Sequence, residues 1–243
     1  MLRGFYTAAS GMLTGQRQQE VLANNIANMN TPGYKADQAP IRAFPEMLMY
    51  QMNRKQLPTT GRTSIPHHRP IGSLHTGVYV QETIPLFRQG DLIETGIHTD
   101  VAIFQDSLPT ETASLFFIIE NEDGQIRLTR NGNFDIDGQG YLVTNEGHYV
   151  LNDDGERIQT DGHAIHINSD GLIIMNGNVT TLGIGYVENT NSLVKEGHDL
   201  FNGDVDAVPA GVTYTIHQGY LERSNVDAVE TMTKMMEAYR MFE

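Results

Sequence analysis

The chain contains no cysteine and no tryptophan. Without cysteine, disulfide scaffolds, thiol nucleophiles and cysteine-rich zinc sites are excluded. No apolar run approaches the roughly 20 residues that cross a membrane. Polar residues from Gln16 to Glu20 also follow the N-terminus too soon for a signal-peptide core. These absences predict no membrane insertion, and any export must use a route that reads no cleavable signal.

Positive charge is scarce as well. The 243 residues include 16 Lys and Arg against 30 Asp and Glu, a formal net charge of −14. A nucleic-acid-binding protein needs a basic face that displaces counterions from phosphates, and anionic membranes also attract basic segments. The composition therefore predicts neither partner. The 39% of hydrophobic residues is enough for a folded core in one or two domains.

An amphipathic helix is predicted from residue 2 to about residue 29. Its apolar stripe recurs at steps of three and four residues: Leu2, Phe5, Ala9, Met12, Ala23 and Ile26. Pro32-Gly33 ends the helix, because proline cannot continue it and glycine tolerates the turn that follows.

A second amphipathic helix is predicted at the C-terminal end. Ser224 is a good N-cap, and Asp227 supplies a capping-box partner and a carboxylate at the positive end of the helix dipole. The apolar stripe comprises Val226, Val229, Met232, Met236, Tyr239 and Phe242. Because the pattern is still running at Glu243, we expect the helix to continue beyond that residue.

Residues 36–85 hold most of the nine prolines and are predicted to form an extended connector. Pro45 is suited to the first turn of a short helix that carries Met47, Leu48 and Met52. The connector also holds a basic patch: Arg62, His67, His68 and Arg69. The connector either contacts a partner or only spans the distance between the segments that it joins, and spanning is the simpler interpretation.

Residues 86–205 show the pattern of a β domain. Short apolar runs alternate with turn dipeptides, which is the strongest local signal for hairpins. The dipeptides are Asp123-Gly124, Asn131-Gly132, Asp137-Gly138, Glu146-Gly147, Asp154-Gly155, Asp161-Gly162, Asp170-Gly171 and Asn176-Gly177. We predict a compact antiparallel domain of many short strands, followed by a return strand or linker over residues 206–221.

The predicted fold class is therefore α+β. A central antiparallel all-β domain is inserted between terminal amphipathic helices, and residues 1–35 with 222–243 form a discontinuous helical domain. One amphipathic helix cannot bury its stripe in water, so the helices pair with each other as a coiled coil or with other copies of the chain. Of the 11 methionines only Met175 lies in the β region. This flexible side chain suits adaptable contact surfaces, and ordinary helix interiors are the alternative.

No catalytic or cofactor pattern is present. The sequence lacks a Gly-x-Ser-x-Gly elbow, a phosphate loop, a His-Glu-x-x-His zinc motif and a complete dinucleotide-binding glycine motif. The segment 133–138 matches the start of a calcium loop, but Thr144 at its last ligand position cannot supply a bidentate carboxylate, which favours a hairpin turn. His163 and His166 would point to opposite faces of a strand. We predict no catalytic residue, metal site or cofactor.

Asparagines cluster near the end of the first helix. Asn24 and Asn28 lie four residues apart on one face, beside Asn25. Asparagine is a poor residue for a helix interior, but in a helical seam it fixes register at a cost in stability. Fraying before Pro32 is the alternative, and the local sequence does not decide between the two.

Three segments in the right order resemble the bacterial flagellar rod and hook axial proteins. They are Leu22 to Asn28 followed by Asn30-Thr31-Pro32-Gly33-Tyr34-Lys35, the stretch from Phe87 to Ile103, and Gly219 to Val226. Residues 129–134 and 142–147 are similar to the core of the family's middle domain. By size the chain is most similar to the distal rod type, including the hook–basal-body rod proteins of Gram-positive bacteria.

The resemblance implies a non-enzymatic structural subunit of the flagellar rod, the drive shaft of the basal body. It implies type III export without a cleaved signal, and helical polymerisation with copies of itself and with other rod and hook subunits. The polymer would transmit torque and leave an export channel. The implied assembly residues are Leu2, Phe5, Ala9, Met12, Leu22, Asn24, Asn25, Ile26, Asn28, Thr31, Pro32, Gly33, Tyr34, Ser224, Asn225, Val226, Val229, Met232, Met236, Tyr239 and Phe242.

Other partners and roles stay open at this point. The flagellar export apparatus is an implied partner, and the basic patch between Arg62 and Arg69 faces either peptidoglycan or another subunit. Within the family the alternative is a junction or cap adaptor of the hook–basal body. Outside it the alternative is a secreted β-domain enzyme or cell-wall-binding module.

Overall fold

The computed structural model describes residues 2–56, 64–110, 112–160, 165–175, 178–197 and 199–242. Within this part of the chain, side chains are described except those of residues 2, 3, 51–56, 64–68, 178 and 242. Contacts divide the chain into two compact units. The first unit comprises Met1–Leu22, Ala39–Thr83 and Thr233–Glu243, and the second comprises Ala23–Gln38 and Ile84–Met232.

Both predicted helices are present, as α1 (Leu2–Ala27) and α2 (Ala228–Phe242). The strands are β1 (Asp37–Gln38), β2 (Ile41–Ala43), β3 (Met47–Gln56), β4 (Ser64–Leu74), β5 (Val78–Val80), β6 (Ile84–Pro85), β7 (Leu92–Glu94), β8 (Val101–Ser107), β9 (Ser114–Glu120), β10 (Ile126–Thr129), β11 (Phe134–Ile136), β12 (Leu142–Thr144), β13 (Tyr149–Val150), β14 (His166–Ile167), β15 (Leu172–Met175), β16 (Asn178–Thr181), β17 (Ile184–Val187), β18 (Val194–Glu196), β19 (Leu200–Asn202), β20 (Thr213–Gln218) and β21 (Tyr220–Glu222). The α+β class with an antiparallel, strand-rich middle is therefore confirmed.

In the first unit the predicted connector contains two paired ribbons. β2 pairs with β5, and β3 pairs with β4 in a long hairpin that opens with Met47 opposite Leu74. The short helix predicted after Pro45 is therefore wrong. A helix of that length is marginal in water, whereas the ribbon supplies backbone partners across the chain. Pro66 and Pro70 are compatible with β4 because each strand of a two-stranded ribbon has only one paired edge.

The basic patch of the connector is only partly described. Arg62 and the side chains of His67 and His68 lie outside the described residues. Arg69 lies on β4 and is exposed. The role of this patch stays a prediction.

The second unit is built around β9, whose residues from Ser114 to Phe117 are all buried. β9 pairs with β10, β13 and β17, and the sheet runs in the order β11-β12-β13-β9-β10-β19-β18. The unbroken apolar run Leu115 to Ile119 explains this central position, because a strand covered on both faces has no polar side.

Two apolar clusters form the core of this unit. The larger contains Phe117 and Phe134, whose rings meet edge to face with centroids 5.1 Å apart. The smaller contains Phe116, Leu128 and Phe201. Leu128 has no exposed surface.

Most of the turn dipeptides in the described residues join paired strands. Asp123-Gly124, Asp137-Gly138, Glu146-Gly147 and Asp170-Gly171 lie between strands that pair as hairpins. Asp154-Gly155 lies in a tight turn closed by the amide of Asn152 and the carbonyl of Glu156 at 2.8 Å. The segment resembling a calcium loop is strand β11 and its turn. Asp161-Gly162 and Asn176-Gly177 lie outside the described residues.

Asn131-Gly132 is the exception, because the strands on either side of it, β10 and β11, do not pair with each other. Gly132 instead lies against the carbonyl oxygen of Val101, where a Cβ atom would overlap. The hairpin prediction at this dipeptide is wrong, since the glycine serves a close approach between chain segments.

Two kinds of feature are absent from the described part of the chain. No helix there is long and apolar enough to span a membrane. No group of three or more His, Asp and Glu side chains there is arranged to hold a metal ion. His163 lies outside the described residues, and His166 is exposed on β14.

Candidate assembly interface

α1 turns a hydroxyl-bearing face toward its own chain. Thr7 Oγ1 donates to the carbonyl of Thr76 at 3.2 Å, and Thr14 Oγ1 donates to the carbonyl of Val78 at 3.1 Å. Ser10 Oγ accepts from the amide of Val78 at 3.4 Å. Residues three and four apart share one side of a helix, so these three hydroxyls hold the chain that leads into β5.

The predicted apolar stripe of α1 lies on the opposite side of the helix. Phe5 is 70% exposed and Met12 is 45% exposed. Ala9, Leu22 and Ile26 are half-buried. The side chain of Leu2 lies outside the described residues. α1 therefore presents large apolar side chains to solvent while its hydroxyl face is satisfied within the chain.

α2 has the same division into a buried and an exposed side. Thr231 and Ala238, seven residues apart, are buried. The exposed side carries most of the predicted stripe, and the exposed fractions are Val229 76%, Met232 46%, Met236 57% and Tyr239 53%. The side chain of Phe242 lies outside the described residues. Small residues on the buried side and large apolar residues on the exposed side suit close packing inward and a contact surface outward.

The start of α2 differs from the prediction. Asp227, not Ser224, is the N-cap, because its Oδ1 accepts from the amides of Val229 at 2.8 Å and Glu230 at 3.0 Å. A carboxylate satisfies these orphan amides and also complements the helix dipole. Ser224 instead accepts from the amide of Val226 at 3.3 Å in the preceding turn. Both Ser224 and Val226 are half-buried.

Asn25 is a buried polar anchor at the end of α1. Its Oδ1 accepts from the hydroxyl of Tyr34 at 3.1 Å and from the amide of Asp37 at 2.9 Å. Its Nδ2 donates to the carbonyl of Asp37 at 2.8 Å. The asparagine thus folds the segment after the helix back onto the helix, which is an intrachain role that the sequence alone did not indicate.

Asn28 and Asn24 form a second pair on the same helix end. Asn28 Nδ2 donates to Asn24 Oδ1 at 2.8 Å, and Asn28 Oδ1 accepts from Thr31 Oγ1 at 3.3 Å. Asn28 is buried and Asn24 is exposed. The two alternatives for this cluster were a helical seam and a frayed helix end. Fraying does not fit Asn28, because its side chain is buried and hydrogen-bonded. A role for this pair at a subunit seam stays a prediction.

Gly33 makes the turn after α1 possible. Its φ of 71° is left-handed, and a Cβ there would overlap the carbonyl carbon of Arg130. The Gly33 amide donates to the carbonyl of Glu222 at 2.8 Å. Only glycine fits this position, so Pro32-Gly33 both stops the helix and brings its exit against β10 and β21. Pro32 itself is half-buried.

Asn225 fastens the approach to α2. Its Oδ1 accepts from the amide of Ala36 at 2.8 Å, and its Nδ2 donates to the carbonyls of Leu86 at 2.7 Å and Arg88 at 3.1 Å. One amide side chain therefore links the exit of α1, the strand region around residue 86 and the segment that precedes α2.

A buried ion network lies beneath these turns. Glu222 Oε1 accepts from Lys35 Nζ at 2.7 Å, and Glu222 Oε2 lies 2.6 Å from a terminal nitrogen of Arg130. The amide of Gly90 donates to the same carboxylate at 2.9 Å, and Lys35 Nζ also donates to the carbonyl of Arg88 at 2.9 Å. The side chains of all three charged residues are at most 2% exposed.

Burial and charge shift these groups in opposite directions. Burial lowers the pKa of Lys35 to about 8 despite the attraction of Glu222. Burial alone raises the pKa of Glu222, but the neighbouring Arg130 and Lys35 outweigh it and hold the pKa of that carboxyl below its usual value. At neutral pH the network therefore holds two cations around one carboxylate.

A second ion pair connects β18 to the turn after α1. Lys195 Nζ donates to Asp37 Oδ2 at 2.9 Å and lies 4.1 Å from the centre of the Tyr34 ring. Tyr34 is fully buried, and burial followed by the charge of Asp37 raises the pKa of its hydroxyl.

Sequence reasoning missed Lys35, Arg130, Glu222 and Lys195. Lys35 and Glu222 lie inside the quoted family-like segments, but nothing local to either position indicates a partner 187 residues away. The one usable signal was their placement beside Gly33 and Asn225, next to the two predicted helix ends.

Comparisons with known proteins bear on all of these segments. Three family models match: "Flagella basal body rod protein" at residues 5–35, "Flagellar hook protein FlgE/F/G D1 domain" at residues 114–175, and "Flagellar basal body rod FlgEFG protein C-terminal" at residues 217–243. The first contains most of α1 and the turn after it, and the third contains α2 and the segment before it. The second covers the core strands from β9 to β15.

Curated relatives match over the full length of the chain. It is 39% identical to the flagellar hook-basal body complex protein FlhO of Bacillus subtilis, covering 100% of this chain and 92% of that protein. It is 36% identical to the flagellar basal-body rod protein FlgG of Agrobacterium fabrum and 33% identical to that of Borreliella burgdorferi. In both cases the match covers 100% of this chain and 92% of the relative.

Proposed function

Because this chain belongs to the family of flagellar basal-body rod and hook proteins and is a structural subunit of the basal-body rod, we propose that it polymerises through the exposed apolar faces of α1 and α2. The observation that carries the proposal is the two-sided construction of both helices. Each satisfies one side within the chain and exposes large apolar side chains on the other. Such apolar surfaces mark interaction sites in soluble proteins.

The two helices pair as a coiled coil in the assembled rod. The stripes of Phe5 and Met12 on α1 and of Met232 and Met236 on α2 recur at three- and four-residue steps, the spacing that such a seam requires. Thr231 and Ala238 leave room for close approach on the other side of α2. Heterologous contacts repeated with a rotation that does not close produce a helical filament.

The β3–β4 ribbon adds a second contact surface between subunits. Met47, Leu48, Tyr50 and Ile71 on it are 53–66% exposed. A hairpin of two strands is marginally stable by itself in water. Apolar side chains on such a ribbon therefore favour burial against neighbouring copies, which would also stiffen the shaft.

Within the basal body, its partners are copies of itself and other rod and hook subunits. We propose that the chain passes the flagellar export apparatus unfolded. The absence of cysteine supports this passage, because folding cannot then depend on oxidation. Contact between the Arg62–Arg69 patch and peptidoglycan is a further proposal, tested by pull-down with purified wall.

The proposed function is mechanical and not enzymatic. A cavity in the second unit has a volume of about 580 Å³ and is open to solvent. Its lining includes one carboxylate, Asp106, and one guanidinium, Arg88, without histidine. This arrangement lacks the paired acid and base that hydrolysis of a glycan requires. A junction or cap adaptor remains the second candidate, favoured by the adaptable methionines on α2.

The test is electron microscopy of basal bodies from a host strain that lacks the gene. We expect short rods without hooks, restored by the wild-type gene but not by a copy lacking residues 1–30. A copy with Met241→Glu should also restore the rods, because it changes an exposed residue that lies off the α2 stripe. Complete rods and hooks in the deletion strain would contradict the structural role, and a full-length rod that lacks only the hook would favour the adaptor.

A further inference from the structure

The buried ion network is unbalanced. Lys35 and Arg130 both contact Glu222, and their side chains are 2% and 1% exposed. Two buried cations therefore share one carboxylate. A buried ion pair stabilises a fold only when its Coulombic gain repays the loss of hydration, and the second cation of such a trio has no full counter-charge.

Arg130 and Glu222 form a complete pair without Lys35. The Arg130 guanidinium donates to the carbonyls of Leu115 at 2.8 Å and Ile103 at 3.1 Å, and its Nε donates to Glu222 Oε2 at 2.8 Å. These contacts satisfy the guanidinium inside the β-rich unit. Removing Glu222 would leave two buried cations without an anion, whereas removing Lys35 would leave one cation and one anion in contact.

Lys35 is therefore the surplus charge, and its lowered pKa of about 8 reflects how unfavourable its buried charged form is. A buried charge that opposes folding, and whose removal would leave the Arg130–Glu222 pair complete, calls for another explanation. Side chains that lower the stability of a fold are expected mainly at sites where function requires a particular geometry.

The contacts of Lys35 indicate that geometry. Its ammonium bridges the carboxylate of Glu222 at the end of β21 and the carbonyl of Arg88. The residue before it, Tyr34, is bonded to Asn25 on α1. Through Lys35 the exit of α1 is thus fastened to the strand that leads into α2 and to the segment around residue 88.

We propose that Lys35 is a positioning residue for assembly, which holds the exit turn of α1 in the geometry that polymerisation needs at the expense of folding stability. The proposal rests on the proposed function, since it concerns the helix that carries the polymer contact. Lys35 thus maintains the geometry of the α1 exit and does not stabilise the core.

The test compares Lys35→Met with wild type in the full-length protein. Methionine fills a similar volume without charge and leaves the Arg130–Glu222 pair intact. We expect an unfolding midpoint in urea equal to or above that of wild type. We expect hydrogen exchange over residues 25–37 to become about tenfold faster while β9 and β10 are unchanged. Rod assembly in the host strain should fall to a small fraction of the wild-type level.

Arg127→Met is the matched control. It removes a cation from the same unit and breaks the pair with Glu196 at 2.7 Å, but it does not touch the exit turn. We expect wild-type assembly and unchanged exchange over residues 25–37. Equal loss of assembly in Arg127→Met would overturn the proposal.

Two results for Lys35→Met would also overturn it: unchanged exchange over residues 25–37, or a fall in the urea midpoint together with faster exchange throughout β9 and β10. Glu222→Gln separates the roles, because it should lower the urea midpoint where Lys35→Met does not. Complete rods in the strain that lacks the gene would contradict the proposed function, whereas unchanged exchange over residues 25–37 in Lys35→Met would overturn the proposal for Lys35 alone.

Discussion

The hydroxyl of Tyr34 donates to Asn25 Oδ1 at 3.1 Å, and the same oxygen accepts from the backbone amide of Asp37 at 2.9 Å. This contact closes a loop of chain immediately after the first helix. Because both side chains are buried, the asparagine of the family-like segment stabilises the subunit itself. Any contribution to a seam between subunits acts through the turn that it holds.

Asn25→Ala tests this relationship. The change removes the acceptor of the Asp37 amide and one of two acceptors of the Tyr34 hydroxyl, which also donates to Asp37 Oδ2 at 3.4 Å. We expect a cost of about 1–3 kcal/mol. Urea unfolding of the purified protein measures the loss. Asn24→Ala is the control, because Asn24 is exposed and Asn28 Nδ2 keeps the backbone carbonyl of residue 24 as an acceptor at 3.0 Å. It should change the free energy of unfolding by less than about 0.5 kcal/mol. Equal losses in the two variants would contradict the assigned role of Asn25.

Met236→Glu tests the exposed stripe of α2. Met236 is 57% exposed in the subunit, so the free energy of unfolding should stay within about 0.5 kcal/mol of wild type. Rod assembly should be lost, because a carboxylate would be buried in an apolar seam. Met241→Glu makes the same change at a residue that is 64% exposed and off the stripe. Electron microscopy of basal bodies should show full rods for this second variant only.

Leu128→Ala tests the β core. Leu128 has no exposed surface and lies in the smaller apolar cluster beside Phe116 and Phe201. Removing most of its side chain should cost about 2–5 kcal/mol. Ile126→Ala on the same strand is the control, since Ile126 is 56% exposed. Unchanged melting of the Leu128 variant would be incompatible with this packing.

Asp227→Ala tests the N-cap of α2. The variant removes the carboxylate oxygen that accepts from the amides of Val229 and Glu230, and we expect a loss of about 1 kcal/mol. Circular dichroism during thermal unfolding records the lower helix stability. Ser224→Ala should have a smaller effect, and the reverse order would restore Ser224 as the cap.

The pH dependence of unfolding tests the protonation of Lys35. Its pKa is lowered from 10.5 to about 8 in the folded chain by burial, with Glu222 and Arg130 as the charged groups facing it. Between these values the unfolded chain binds more protons, so this residue makes the free energy of unfolding rise with pH, by at most about 1.4 kcal/mol per pH unit. Urea unfolding of wild type should show the rise, and Lys35→Met should lack it. Parallel curves for the two proteins would contradict the lowered pKa.

The helices and the β-rich middle were predictable because their signals are local. Apolar residues at steps of three and four indicated α1 and α2, and dipeptides such as Asp123-Gly124 indicated hairpins that the structure contains. Where two local signals competed the prediction failed. Pro45 and the residues after it were compatible with a short helix, and only pairing with β4 selected the strand.

The sequence by itself determined which segments form helices and strands, where α1 stops, and which apolar stripes need a partner, because backbone geometry and side-chain period act between near neighbours. Tertiary structure decided which side of each helix faces its own chain, that Asn25 and Tyr34 meet, and that Lys35, Arg130 and Glu222 share one buried site. The physical reason is separation along the chain. The strength of a hydrogen bond or ion pair depends on distance and burial, and for residues as far apart as 35 and 222 only the folded chain sets both.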